Sequence, residues 1–123
     1  MVTTYIGVVR EGKVELDPPL SLPDGSRIHV TLSPILSERE ALGKANIWLA
    51  QHVGDAVGAM NGTLIQTDNQ AIWRFEAFIT SVHSEPTGPI GQIEVEADTG
   101  QVLNTSQTAE AMIERGRQLI PAP

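Results

Sequence analysis

Cysteine is absent from the 123-residue chain. This absence excludes disulfides, zinc sites built from thiolates, and catalytic thiols. Long apolar runs are absent too, since no window approaches the ~18 residues that a membrane-spanning helix needs. The opening MVTTYIGVVREGK has no basic run followed by a long apolar stretch, so it does not predict a signal peptide. We therefore expect a soluble cytoplasmic protein.

Positive charge is scarce, with 8 Lys and Arg against 15 Asp and Glu and a formal net charge of −7. Residues 1–36 are nearly neutral, because Arg10, Lys13 and Arg27 face four acidic residues. A balance of −6 is left for the rest of the chain. An acidic surface repels phosphate backbones, so we do not expect nucleic-acid binding by that part of the chain. The near-neutral residues 1–36 neither support nor exclude DNA contact.

Signatures of catalysis and of nucleotide binding are also missing. The sequence contains neither G-x-G-x-x-G nor a P-loop. Thr80, Ser81 and Ser84 lack the flanking glycines of a nucleophile elbow. We expect a protein that is not an enzyme and that holds no cofactor.

The strongest pattern that is present runs from Ala71 to Leu103, where apolar and polar residues alternate in two segments. Alternation with period two predicts a long antiparallel pair with one apolar and one polar face. The apolar series is Trp73, Phe75, Ala77 and Ile79, followed by Ile93, Val95 and Ala97. Such an apolar face must be covered. The chain has one predicted amphipathic helix before these strands in sequence and another after them.

The first of these helices has a clear start. Ser37 and Glu40 form a capping box, and an apolar period of three to four residues then continues to about Met60. Asn61-Gly62 is a typical stop. A strip of small residues that includes Gly54 and Gly58 predicts close packing on the sheet, with a dimer contact as the alternative. We further expect a short strand over Thr63–Thr67, another over Gln101–Leu103, and a final helix that ends at Pro121.

The N-terminal quarter predicts a small β-module. Thr3–Arg10 and Lys13–Leu16 form a hairpin around Glu11-Gly12, because Gly12 can adopt a positive φ. After a Pro23-Asp24-Gly25 turn, Arg27–Leu32 alternates as a third strand, with Ile28, Val30 and Leu32 expected to point inward. Three short strands bury too little surface to be stable alone, so this module docks or dimerises. The residues expected at the interface are Tyr5, Val8, Val14, Ile28 and Val30.

The stretch GKVELDPPLSLPDGSRIHVTL resembles the N-terminal β-module of small prokaryotic antitoxins of the AF2212 type and, more loosely, AbrB-like transition-state regulators. The resemblance implies a module that dimerises, and for AbrB-like proteins it implies DNA binding through basic residues. Only Arg10, Lys13 and Arg27 could supply that charge here. The segments WLAQHVGDAVGA, WRFEAFIT and GQIEVEADTGQVLN resemble a PepSY-like domain, which implies a small inhibitory or binding module.

Several residues could support chemistry but are expected to be structural. His83 and Glu85 share a loop, yet His29 and His52 are too distant in sequence to complete a metal site with them. The Asp98-Thr99-Gly100 turn lacks the other oxygens of a calcium loop. The acidic residues Glu76, Glu94 and Glu96 are expected on an exposed face rather than in a catalytic cleft.

We therefore predict an α+β protein with a small β-module at 1–35 and a helix–antiparallel sheet–helix module at 36–123. The leading functional hypothesis is a protein-interaction module that acts as a homodimer, in its most specific form an antitoxin-like regulator whose partner is a toxin. The alternative is a small-ligand-binding or inhibitory PepSY-like domain. Its ligand would contact Trp48, Trp73 and Phe75, although aromatic residues at these spacings more often belong to a core.

Overall fold

The computed structural model describes residues 5–17, 19–67, 70–80 and 85–119. The elements in chain order are β1 (Ile6–Arg10), β2 (Lys13–Asp17), α1 (Glu38–His52), β3 (Val57–Thr67), β4 (Gln70–Ile79), β5 (Thr87–Glu96) and α2 (Ser106–Leu119). β1 and β2 form a hairpin, and β3, β4 and β5 form an antiparallel sheet in that order. The predicted α+β class is confirmed. His83, Ser81 and Ser84 lie outside the described residues.

The predicted central pair of strands is present as β4 and β5. Trp73 lies opposite Val95, and Phe75 lies opposite Ile93. Because residues directly opposite in an antiparallel pair point to the same face, these side chains form one apolar face. Phe75, Ile93 and Val95 are fully buried there. Helix α1 packs over this face with Ala41, Ala45 and Leu49, and α2 packs over it with Ala109 and Met112.

The start of α1 is fixed by hydrogen bonds on both sides of Ser37. The Ser37 hydroxyl accepts from the Glu40 backbone N–H at 3.1 Å, and the Glu40 carboxylate accepts from the Ser37 backbone N–H at 3.0 Å. The second bond and, to a lesser extent, the hydroxyl hold the pKa of Glu40 below its ordinary value. Just before the cap, Leu36 donates its N–H to the Ala97 carbonyl and accepts from the Trp73 indole N–H.

The expectation that the first helix continues to Met60 is wrong. The backbone N–H groups of Val53 and Gly54 both donate to the Leu49 carbonyl, which closes the last turn of α1. Residues 57–67 then pair with β4 as one long strand. Asn61-Gly62 is therefore an irregularity in β3, where Asn61 has a φ of 60°, and does not end a helix. Pairing across the sheet overrides the helical spacing of these apolar residues.

The strand expected over residues 27–32 is absent. The last expected strand is present only as a short antiparallel bridge between Val102 and Val95, in which the Glu96 N–H donates to the Gln101 carbonyl and the Leu103 N–H donates to the Glu94 carbonyl. Beyond this bridge, a side chain continues the outer edge of β5. Asn104 accepts from the Glu94 N–H and donates to the Gln92 carbonyl, both at 2.8 Å, as a backbone strand would.

Replacement of Asn104 should open this edge. Asn104→Leu keeps a side chain of similar size but removes both bonds, so we expect a loss of stability of about 1–3 kcal/mol. The Glu94 amide should exchange with solvent faster, which hydrogen-exchange NMR measures directly. Asn104→Asp retains only the acceptor and should protect that amide to an intermediate degree. Unchanged exchange in Asn104→Leu would contradict this role of the side chain.

Two glycines form a matched pair for testing how closely α1 packs on the sheet. A Cβ at Gly62 would lie 2.6 Å from the Phe75 ring and 2.8 Å from the Glu38 carboxylate, whereas a Cβ at Gly43 in α1 meets nothing. We expect Gly62→Ala to destabilise the fold by about 1–3 kcal/mol through overpacking. Gly43→Ala should stabilise it by about 1 kcal/mol through helix propensity. Urea unfolding followed by tryptophan fluorescence measures both, and equal effects would contradict the packing argument.

Candidate interaction surface

The N-terminal hairpin is formed by β-branched residues around a tight turn. Glu11 and Gly12 both have positive φ values, 50° and 77°, which is the backbone twist that two-residue hairpin turns favour. Val9 lies opposite Val14, and Gly7 lies opposite Leu16. A Cβ at Gly7 would be 2.8 Å from the Val14 side chain and 2.9 Å from the Leu16 side chain, so both side chains pack closely on the glycine. The hairpin thus has one face that is apolar throughout its described residues.

The polar contact of the hairpin is weak. The Arg10 guanidinium lies 3.2 Å from the Glu15 carboxylate, and both side chains are about two-thirds exposed. An ion pair with this exposure contributes little to stability. The hairpin is therefore not held by its charges, and its apolar side chains remain in contact with solvent.

Residues 19–34 follow without regular structure except for one turn. The Ser26 N–H donates to the Pro23 carbonyl at 3.2 Å, and Gly25 has a φ of 85°. The predicted turn is confirmed, but the chain segments on either side of it form no ladder. Ile28, Val30 and Leu32 are 54%, 60% and 71% exposed. An alternating segment of this kind is typical of a strand, and here its apolar side chains lie in solvent.

Exposed apolar side chains are concentrated in this part of the chain. Of the ten large hydrophobic residues that are exposed in the described structure, nine lie between residues 5 and 32, and the tenth is Ile47 on α1. The nine are Tyr5, Val8, Val9, Val14, Leu20, Leu22, Ile28, Val30 and Leu32. We call residues 5–34 the apolar arm. Monomeric proteins rarely expose apolar groups in such density unless a partner covers them.

All five residues predicted for an interface, Tyr5, Val8, Val14, Ile28 and Val30, are exposed in the arm. The sequence reasoning missed Val9, Leu20, Leu22 and Leu32. Leu32 had been placed inward on a third strand, and its alternation with Ile28 and Val30 is the signal that would have included it. The core of the described structure contains residues from Leu36 onward and none from the arm.

The three aromatic residues proposed to line a ligand pocket have different surroundings. Phe75 is buried in the core, and its ring stacks on that of Trp73 with centroids 6.4 Å apart. The Trp73 indole donates to the Leu36 carbonyl at 2.9 Å. Trp48 is half-buried on α1 and packs against the His52 ring, 4.8 Å away. Protein groups thus contact all three rings, and a ligand site between the sheet and α1 stays a prediction.

The other face of the sheet carries the charged residues. Arg74 lies opposite Glu94, and its guanidinium donates twice to one carboxylate oxygen, at 2.8 and 3.0 Å. Glu76 accepts from the Asn61 amide at 3.4 Å. Glu96 is half-buried, whereas Asp98 is exposed in the turn after β5. Within 5–17, 19–67, 70–80 and 85–119 no three His, Asp or Glu residues converge as metal ligands.

Glu85, His29 and His52 are exposed. Among the described residues, neither α1 nor α2 has the length and apolar character that a membrane crossing requires.

Comparisons with known proteins give no relative. No family model, no curated protein and no solved structure matches this chain.

Proposed function

We propose that this protein is a non-enzymatic protein-interaction module that acts as a homodimer in the cytoplasm, as an antitoxin-like regulator. The arm contacts a second copy, and the helix–sheet part binds a protein partner, in the most specific form a toxin. The observation that carries the proposal is the concentration of exposed apolar side chains in the arm, nine of the ten among the described residues. Solvated apolar area of this density drives association.

The location of the core supports separate roles for the arm and the helix–sheet part. The helix–sheet part buries Phe75, Leu49 and Ile93 without help from the arm. The arm is therefore not needed to complete that core, and its side chains are available for a partner. The sequence balance of −6 outside residues 1–36 favours a basic surface on the protein that the helix–sheet part binds.

The dimer is tested by light scattering on the purified full chain. At micromolar concentration we expect twice the monomer mass for the natural sequence. Val14→Lys places a charge on the apolar face of the hairpin and should raise the dimer dissociation constant at least tenfold, since a desolvated charge without a partner is costly. Ile47→Lys is the matched control on α1, because Ile47 is 58% exposed and Val14 is 47% exposed. A natural sequence that stays monomeric would contradict the homodimer.

The regulatory role is tested by coexpression with the product of the neighbouring reading frame. If that product arrests growth, the full chain should restore growth and copurify with it as a complex. The double variant Glu110→Lys with Glu114→Lys reverses charge on the helix–sheet surface and leaves the arm unchanged, so it should weaken this complex and keep the homodimer. Restored growth without a physical complex, or the absence of any growth-arresting neighbour, would argue against the antitoxin form of the proposal.

A further inference from the structure

The segment 27–32 has the pattern of a strand but has no ladder in the described structure. In an extended strand its apolar side chains would point to one side, since Ile28, Val30 and Leu32 are two residues apart. All three are more than half exposed. The turn that precedes the segment is already formed, with Ser26 bonded to Pro23. What is missing is a strand for this segment to pair with.

The exposed area indicates a partner of substantial size. The solvent-accessible surface of the chain is 9113 Å² at a mass of 13.2 kDa. A compact monomer of that mass exposes about 6,400 Å², so the excess is about 2,700 Å². A stable interface removes about 800 Å² from each partner. The excess, which includes surface from residues outside the described ranges, is larger than that area, and the arm carries nine of the ten exposed large hydrophobic side chains among the described residues.

Charge favours a second copy as that partner. Residues 1–36 have three basic and four acidic residues, whereas the remainder of the chain has a balance of −6. Two copies that approach through their helix–sheet parts would repel each other. Two copies that approach through their arms meet nearly neutral surfaces, on which Arg10 is already paired with Glu15. A nearly neutral apolar arm also has no excess charge to attract a strongly basic or acidic partner.

We infer that segment 27–32 pairs antiparallel with the same segment of a second copy, with Val30 on the two-fold axis. This inference rests on the homodimer of the proposed function and specifies its contact. A two-fold interface uses the same patch on both copies, so the segment must be complementary to itself. Around Val30 it is: Ile28 lies opposite Leu32, and His29 lies opposite Thr31. Six apolar side chains, three from each copy, then share one face of the ribbon.

The hairpins supply the second layer that such a ribbon requires. A two-stranded ribbon is only marginally stable in water until its apolar face is covered. The face of the hairpin with Val9, Val14 and Leu16 is apolar and lies in the same arm. The connection from Asp17 to Pro23, before the formed turn, spans up to about 20 Å when extended, which allows each hairpin to fold over the ribbon.

Single cysteines test this register, because the natural chain has none. Opposite Cα atoms in an antiparallel pair are about 4.5–5.5 Å apart, within the range that a disulfide bridges. Val30→Cys should therefore form a disulfide-linked dimer almost completely under mild oxidation. Ile28→Cys should not, because its symmetry mate lies four residues along the ribbon, about 13 Å away. A mixture of Ile28→Cys and Leu32→Cys chains should form the mixed disulfide.

Ile47→Cys is the control for random collision, since this residue is as exposed as Val30 but lies on α1. If the natural sequence is a dimer but Val30→Cys stays reduced, the register is overturned and the proposed function remains. If Ile28→Cys and Val30→Cys cross-link equally, the register is overturned as well. If the natural sequence is a monomer at micromolar concentration, both this contact and the homodimer are overturned.

Discussion

A β-sheet with an apolar face must have that face covered, and this constraint determines where the chain has a core. In the helix–sheet part, α1 and α2 both pack on the face that carries Phe75 and Ile93. In the N-terminal part, the hairpin and the segment at 27–32 also carry apolar side chains, but no second layer covers them among the described residues. The helix–sheet part therefore has a core of its own, whereas the described residues of the arm contribute none to it.

The junction between the two parts is also where the fold is most firmly tied. Leu36 donates to the Ala97 carbonyl and accepts from Trp73, and the capping box at Ser37 follows directly. The first residues of α1 are therefore fixed to β4 and to the end of β5. The arm ends at residue 34, immediately before these bonds, and contributes no residue to the core on which α1 packs.

The sequence was most informative where one physical effect dominates. The period-two pattern of β4 and β5 predicted their shared face, and the Ser37–Glu40 spacing predicted the cap of α1. It failed at residues 57–62, where helical spacing of apolar residues competed with pairing to β4, and pairing is a long-range effect. It also failed at 27–32, because alternation shows that a segment can be a strand but does not show which strand it will meet.

The candidate surface was only partly visible in the pattern. The five residues expected at an interface are exposed, but the same reasoning placed Leu32 in the interior of a sheet. Whether an apolar side chain on a short strand is buried depends on a second layer that covers it. The sequence of one chain indicates the layers that this chain forms better than layers that another molecule would supply. The aromatic residues show the reverse case, since Phe75 is fully enclosed although it had been considered for a ligand.

The amide of Asn104 has a consequence for the behaviour of the protein at high concentration. Growth of sheets into fibres needs two open edges on every molecule, one to receive a strand and one to offer the next site. Along Gln92–Glu96 one of these edges is sealed by a side chain and by the bridge at Val102. Stacking of chains through β3–β5 would therefore stop after a single addition.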